Sequence, residues 1–124
     1  CSGDRLAAER VLADGRLAWL AGNDDELFDQ LARGAAGGVT VSAHVDAARF
    51  VALHRLMRGQ QLSEARLLWR QLAPLTRALF AEPNPAPVKG LLTRLGWLAP
   101  DLRAPLTPAT AATIDRAQHA LNGP

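Results

Sequence analysis

The sequence predicts an α/β segment followed by a helical extension on its carboxyl-terminal side. Two observations support this fold class: helix and strand patterns alternate over residues 1–42, and every later pattern is helical. The chain has 124 residues, of which 48% are hydrophobic. This is enough for one modest core.

The chain opens with a short helix pattern and then a strand pattern. Residues Asp4 to Leu12 place their apolar side chains on one side of a helix, which Asp14 and Gly15 end. Leu17 to Ala21 is a short apolar run, typical of a strand that is buried on both faces. Gly22 interrupts this run.

A second helix and a second strand complete the alternating part. Asn23 and Glu26 have the spacing of a capping box, which predicts a helix that runs to about Arg33. Val39 to Ser42 is rich in β-branched residues and predicts a strand. Connections of this length suit parallel strands joined by a crossover helix. Two such strands alone leave their edges and faces uncovered, so we expect them to be part of a larger fold.

Two longer helices are predicted next. The first runs from Asp46 to Arg58 and ends at Gly59. Ser63 has the side chain to cap the second, whose apolar stripe consists of Leu68, Leu72, Leu75 and Leu79. Pro74 falls within this stripe and predicts a kink or a division of the helix.

The last two helices are predicted from proline positions. Pro87 is placed to start a helix that continues to Gly96. Thr107 and Pro108 have the N-cap and first-turn residue types for a final helix that ends near Gly123.

Composition and charge narrow the class of protein. Of the 14 basic residues, Lys89 is the one lysine, and the net charge of +2 is too small to favour a nucleic-acid binder. Cys1 is the one cysteine, which excludes an internal disulfide and fits a reducing, cytoplasmic setting. No apolar run is long enough for a membrane span, and the amino terminus does not resemble a secretory signal. Because the chain lacks an initiator Met, we expect the natural chain to begin upstream.

The polar residues alone do not assemble a complete active site. The three histidines, His44, His54 and His119, match no metal-ligand spacing, so no metal site is predicted. Asp24 to Glu26 is interpreted as acidic residues that interact with a helix dipole. Gly34 to Gly38 is a weak candidate for a phosphate-binding loop, because it lacks the lysine and hydroxyl residue of such motifs. Lys89 falls in a helical region rather than at a strand end, which disfavours a Schiff-base role.

Several segments resemble the dihydrodipicolinate synthase family, also called 4-hydroxy-tetrahydrodipicolinate synthase. The segment Leu79 to Lys89 (LFAEPNPAPVK) is similar to the family's carboxyl-terminal signature. The segments Leu95 to Leu98 and Leu102 to Pro108 are similar to the same family at matching spacing. Leu20 to Asp24 and Gly37 to Ala43 resemble the seventh and eighth strands of its barrel with their turns. Cys1 to Asp4 resembles the turn after the strand that carries the catalytic lysine.

The resemblance implies a fold and an activity. It implies that the chain is the last part of a (β/α)8 barrel, with a barrel segment at residues 1–45 and a closing helix plus helical extension at residues 46–124. Family members condense pyruvate, bound as an imine on a lysine, with aspartate semialdehyde, and a threonine and two tyrosines relay protons. The chain has no tyrosine, and the lysine's strand would precede Cys1. No catalytic residue is therefore predicted within the segment, which by itself is expected to be inactive and marginally stable.

Two residues are implied to line the substrate site, and no cofactor or metal is expected. Gly22 resembles the glycine that leaves room beside the substrate, and Val39 resembles the residue whose backbone carbonyl faces the pyruvate site. The family's Gly-Asp-Asp is Gly22-Asn23-Asp24 here, which reduces the local charge. The resemblance also implies a homo-oligomer, a dimer or a tetramer, with no membrane or nucleic-acid partner.

Three alternatives remain open at the level of sequence. One is a related pyruvate lyase that acts on sialic acid or keto-deoxy sugar acids, because loops outside this chain carry most of the substrate choice. Another is a non-catalytic helical interaction module. The third is a nucleic-acid binder that uses the arginines, which predicts strongly salt-dependent affinity.

Overall fold

A small parallel sheet lies at the start of the part of the chain that the structure describes. The structure is a computed structural model, and it describes residues 14–123, so the helix expected over Asp4 to Leu12 and the turn at Cys1 to Asp4 lie outside the described residues. Strand β1 (Leu20–Ala21) pairs in parallel with strand β2 (Gly37–Gly38). This confirms that the two strands are parallel.

Both strands are shorter than the sequence predicts. The apolar run starts at Leu17, but this residue is 64% exposed and only Leu20–Ala21 pairs with the second strand. The second strand is formed by two glycines rather than by the predicted Val39 to Ser42. The amides of Val41 and Ser42 donate to a side-chain carboxylate instead, so they do not extend the ladder.

The crossover between the strands begins without the predicted capping box. A 3₁₀ turn (Asp24–Glu26) leads into helix α1 (Leu27–Ala32). The Asn23 side chain makes no capping hydrogen bond. The carboxylate of Glu26 accepts from the side-chain amide of Gln30 at 2.6 Å instead of bonding back to the turn.

Four helices follow, as the sequence predicts, and their bounds differ slightly from the predicted ones. They are α2 (Ala43–Arg58), α3 (Leu62–Leu79), α4 (Ala86–Arg94) and α5 (Ala111–Asn122). No helix within residues 14–123 has the length and apolar character that a membrane span requires.

The predicted start of α2 marks a local break in that helix. Asp46 has the non-helical angles φ −151° and ψ 56°, and its carboxylate accepts from the amide of Arg49 at 3.3 Å. Asp46 therefore acts as an internal cap, although the helix already begins at Ala43. The helix ends at Gly59, as predicted.

Helix α3 is continuous, so the predicted cap at Ser63 is wrong and, of the two outcomes predicted for Pro74, a division of the helix does not occur. The residue before the helix is Gln61, which makes no side-chain cap, and the helix begins before Ser63. Pro74 does not divide the helix. Because Pro74 is exposed, the carbonyl that loses its amide partner lies on a side where water can bind it.

The last two helices also start at different residues from those predicted. Helix α4 begins one residue before Pro87, which occupies its first turn as expected. Helix α5 is capped by Thr110 rather than Thr107, because the Thr110 hydroxyl accepts from the amide of Thr113 at 3.3 Å.

Two apolar clusters form the core, and helices α2 and α3 contribute to both. The first lies under the sheet and contains Ala21, Leu27, Leu31, Ala35, Phe50, Leu53, Ala65 and Leu72. The second joins α3, α4 and α5 and contains Val45, Leu75, Ala78, Leu79, Val88, Leu91, Leu92, Ile114 and Ala117. Three of the four leucines in the predicted α3 stripe are fully buried, and Leu68 is half-buried. The burial confirms the apolar face of this helix.

Candidate functional site

The two residues predicted to line a substrate site follow directly after the paired strands. Gly22 comes after Ala21 and Val39 comes after Gly38, and these two preceding residues are partners in the sheet. The amide of Val39 donates to the carbonyl of Ala21 at 2.8 Å, which continues the ladder by one bond. The parallel register therefore places Gly22 and Val39 at the same edge, the carboxyl end of the sheet.

Both residues are accessible within the part of the chain that the structure describes. Gly22 is exposed, and Val39 is 70% exposed. Among residues 14–123, no hydrogen-bond donor approaches the carbonyl of Val39. Within these residues, the carbonyl is an unused acceptor at the end of a strand.

Asp24 connects the two turns at this edge. It is 1% exposed, and its two carboxylate oxygens accept from the amide of Val41 at 3.0 Å and from the amide of Ser42 at 2.6 Å. Ser42 is completely buried, and its hydroxyl has no partner within the described residues. The turn after β1 is thus bonded to the segment that leads from β2 into α2.

This role of Asp24 is not evident from the sequence, in which Asp24, Asp25 and Glu26 together have the pattern of acidic residues in a first helical turn. Asp25 is exposed and fits that interpretation, whereas Asp24 is buried and bonds to a segment 17 and 18 residues away. Its position three residues after the end of β1 is the one local signal of a different role.

The glycine-rich connection is not available to bind a phosphate. The amides of Gly34, Ala35 and Ala36 donate to the carbonyls of Leu31, Gln30 and Trp19, at 3.0, 2.9 and 2.8 Å. A phosphate-binding loop needs free amides that converge on the anion. Since these three amides are already bonded, the structure assigns the segment a structural role.

Lys89 lies on helix α4 rather than at a strand end. Its amine donates to the carbonyl of Asp101, in the loop after that helix. This contact ties the loop to the helix, which is a structural use of the amine.

The histidines do not come together. His44 lies within 3.0 Å of the carbonyl of Val41, and His54 lies within 3.0 Å of the carbonyl of Ala36. His119 borders a different surface, a groove of about 880 Å³ between α3 and α5. Within residues 14–123, no three His, Cys, Asp or Glu side chains have a metal-binding arrangement.

A smaller groove runs beside the sheet but does not contain the predicted site residues. It has a volume of about 330 Å³, and its lining includes Leu20, Gly38, Phe50 and His54. The carboxyl edge with Gly22 and Val39 is thus an open surface among the described residues rather than part of an enclosed pocket.

Comparison with known proteins gives consistent matches. The sequence profile of the Dihydrodipicolinate synthetase family matches residues 1–123. The 4-hydroxy-tetrahydrodipicolinate synthase of Teredinibacter turnerae is 40% identical over 108 residues, which are 87% of this chain and 37% of that protein. The dihydrodipicolinate synthase of Thermotoga maritima superposes with a TM-score of 0.89 at 31% identity, covering 98% of this chain and 43% of that one. The chloride-inhibited dihydrodipicolinate synthase of Acinetobacter baumannii, complexed with pyruvate, superposes with a TM-score of 0.87 at 26% identity and the same coverage.

Parallel strands joined by a crossover helix, with candidate site residues at their carboxyl ends, are the arrangement of an α/β enzyme. The chain belongs to the dihydrodipicolinate synthase family, whose members are lyases. This confirms the resemblance carried by the segment Leu79 to Lys89. The chain spans about two fifths of the length of these relatives, from 37% to 43% in the three compared.

Proposed function

We propose that this chain is the carboxyl-terminal part of a pyruvate-dependent Schiff-base lyase that condenses pyruvate with aspartate semialdehyde. One observation supports the proposal above the others. The parallel register brings Gly22 and Val39, which are 17 residues apart, to the same carboxyl edge of the sheet. Active sites of barrel enzymes lie at this edge.

The two residues have different roles in the proposal. Gly22 contributes space, because it has no side chain to contact a bound keto acid. Val39 contributes the acceptor of its backbone carbonyl, which is unused within the described residues. Neither residue moves a proton, so the acid–base chemistry belongs to other parts of the protein.

The proposal extends to the architecture. Strands β1 and β2 are the seventh and eighth strands of a (β/α)8 barrel, with the barrel segment at residues 1–45 and the closing helix and extension at residues 46–124. The imine-forming lysine belongs to the sixth strand, which would precede Cys1. The segment by itself is then inactive, because no lysine at the strand ends can form the imine.

Substrate choice separates this proposal from a related lyase that acts on sialic acid or keto-deoxy sugar acids. The pyruvate-bound structure of the Acinetobacter baumannii relative and the synthase names of the other relatives favour the condensation with aspartate semialdehyde. The natural gene product that contains this chain, called here the full-length protein, is assayed with pyruvate and each aldehyde partner. A value of kcat/KM for aspartate semialdehyde below that for the sugar aldehydes would favour the related lyase.

We also propose that the full-length protein is cytoplasmic and forms a homo-oligomer, a dimer or a tetramer, as the family resemblance implies. Sedimentation velocity of the full-length protein tests the assembly. A single species with the mass of one chain would contradict it.

Borohydride trapping tests the central step. Pyruvate is added to the full-length protein, the imine is reduced, and the labelled peptide is mapped by mass spectrometry. The expected adduct lies on a lysine in a peptide upstream of Cys1. An adduct on Lys89 would contradict the assigned position of the nucleophile, and the absence of an adduct would favour the non-catalytic helical module.

A further inference from the structure

We propose that Asp24 is a positioning residue for the pyruvate site, because its carboxylate fixes the segment that presents the carbonyl of Val39. The inference rests on the proposed function, and it adds a residue that touches the substrate site only through its hydrogen bonds to the backbone. It also explains why an acidic side chain is buried here without a basic partner among the described residues.

Asp24 is a buried carboxylate, 1% exposed. A buried carboxylate loses its hydration, and this cost is normally offset by a cation or by several hydrogen bonds. Asp24 forms no salt bridge within residues 14–123. Two backbone amides, those of Val41 and Ser42, supply the hydrogen bonds instead.

These two amides lie at the end of the segment that carries the carbonyl of Val39. The segment from Val39 to Ser42 is fixed at its start by the bond from the Val39 amide to Ala21, at 2.8 Å. It is fixed at its end by the two bonds to Asp24. The carbonyl of Val39 lies between these two attachments, so its direction depends on both of them.

Asp24 is also close in sequence to Gly22. Asp24 follows Gly22 by two residues and lies in the 3₁₀ turn that begins the crossover. One side chain therefore fixes the relative position of the turn after β1 and the segment after β2. These are the two places from which the proposed site takes its space and its acceptor.

The substitution Asp24→Asn tests the inference in the full-length protein. The side chain keeps its shape, but its NH2 group replaces one acceptor and faces a backbone amide donor. The KM for pyruvate is expected to rise about tenfold while kcat changes by less than about threefold, because a site is loosened and no reacting group is lost. Asp25→Asn is the matched control, since the neighbouring carboxylate is exposed, and its kinetic constants are expected to stay within about twofold of the wild type.

A merely structural role of Asp24 predicts a different result. In that case Asp24→Asn would lower the melting temperature and leave the KM for pyruvate unchanged, and the inference would be overturned. If the wild type forms no borohydride adduct with pyruvate, the proposed function fails and this inference falls with it. If the wild type and Asp24→Asn reach half-maximal trapping at the same pyruvate concentration, only the inference on Asp24 fails.

A second measurement covers the case in which Asp24→Asn does not fold. Hydrogen exchange of the Val41 and Ser42 amides is followed in the wild-type full-length protein, before and after pyruvate is reduced onto it. The inference predicts that exchange slows at least about tenfold in the adduct, because the occupied site holds the segment against Asp24. Equal exchange rates in the two states would overturn it.

Discussion

The carboxylate of Glu82 binds Thr110 through both of that residue's polar groups, across 28 residues of the chain. The hydroxyl of Thr110 donates at 2.6 Å and its amide donates at 3.1 Å. The same hydroxyl accepts from the amide of Thr113 and so caps helix α5. The Pro-rich segment that begins at Glu82 is therefore attached to the start of the last helix.

This contact predicts how the stability of the folded protein depends on pH. The hydroxyl of Thr110, and then that of Thr113, hold the pKa of Glu82 below its ordinary value of 4.5, and the charge of Arg116 acts in the same direction. The pKa is lower in the folded chain than in the unfolded chain. The stabilisation is thus complete above about pH 4.5 and is lost as the pH falls through the lowered folded value.

Glu82→Gln tests this by thermal unfolding of the full-length protein. Its melting temperature is expected to lie modestly below that of the wild type from pH 6 to 8, with the difference shrinking at acidic pH. Glu64→Gln changes an exposed carboxylate in the first turn of α3 and serves as the control. A difference between Glu82→Gln and the wild type that grew on acidification would contradict the sign.

Contacts of this range explain which parts of the fold the sequence could predict. The parallel strands, the apolar face of α3 and the cap at Gly59 depend on local patterns, and the structure confirms them. The cap of α5 does not depend on a local pattern alone, because Thr107 and Thr110 are equally suitable residue types for an N-cap. In the structure the capping residue is Thr110, whose hydroxyl also donates to Glu82, a residue distant in sequence.

In the candidate site, too, contacts between residues distant in sequence determine features that local patterns do not predict. The β-branched residues Val39, Thr40 and Val41 predict a strand, and a carboxylate distant in the sequence removes Val41 and Ser42 from the ladder. The burial of Asp24 depends on that same contact. The local sequence therefore does not distinguish Asp24 from its exposed neighbour Asp25. The resemblance indicated Gly22 and Val39, and their chemical role stays a prediction.

The glycines of β2 give a second prediction, on packing. A Cβ atom at Gly38 would lie 2.6 Å from Cδ1 of the buried Leu27, whereas a Cβ atom at Gly37 would meet its nearest atom at 3.5 Å. Gly38→Ala is expected to lower the free energy of unfolding by about 1–3 kcal/mol, because Leu27 has to shift within a packed core. Gly37→Ala is the matched control and is expected to change it by less than about 1 kcal/mol. Denaturant unfolding of the two variants checks this, and equal losses would contradict the packing argument.

Gly90 allows α4 and α5 to approach closely, which gives a third prediction. A Cβ atom at Gly90 would lie 2.5 Å from Cδ1 of Ile114. Gly90→Ala is therefore expected to destabilise the protein, although alanine favours a helix by about 1 kcal/mol over glycine. Ile114→Ala removes the obstructing atoms at a cost of about 2–5 kcal/mol.

The double variant distinguishes this contact from a general loss of stability. In Gly90→Ala with Ile114→Ala, the new methyl group occupies part of the space that the isoleucine leaves. The combined loss of unfolding free energy is expected to be smaller than the sum of the two single losses by about 0.5–3 kcal/mol. Additive losses of unfolding free energy would show that the side chains at positions 90 and 114 do not compete for the same space.

Gly22 gives the last prediction, which addresses the substrate site. In Gly22→Val, a branched side chain fills the space at the carboxyl end of β1, and kcat/KM for pyruvate is expected to fall at least about tenfold. The melting temperature should change little, because Gly22 is exposed within residues 14–123. Ala32→Val enlarges an exposed residue at the end of α1 and is the control, with kcat/KM expected to stay within about twofold. Steady-state kinetics of both variants in the full-length protein, with melting curves alongside, provide the test. If Gly22→Val kept the wild-type kcat/KM, the carboxyl end of β1 would not border the pyruvate site, because a valine side chain there would meet no substrate.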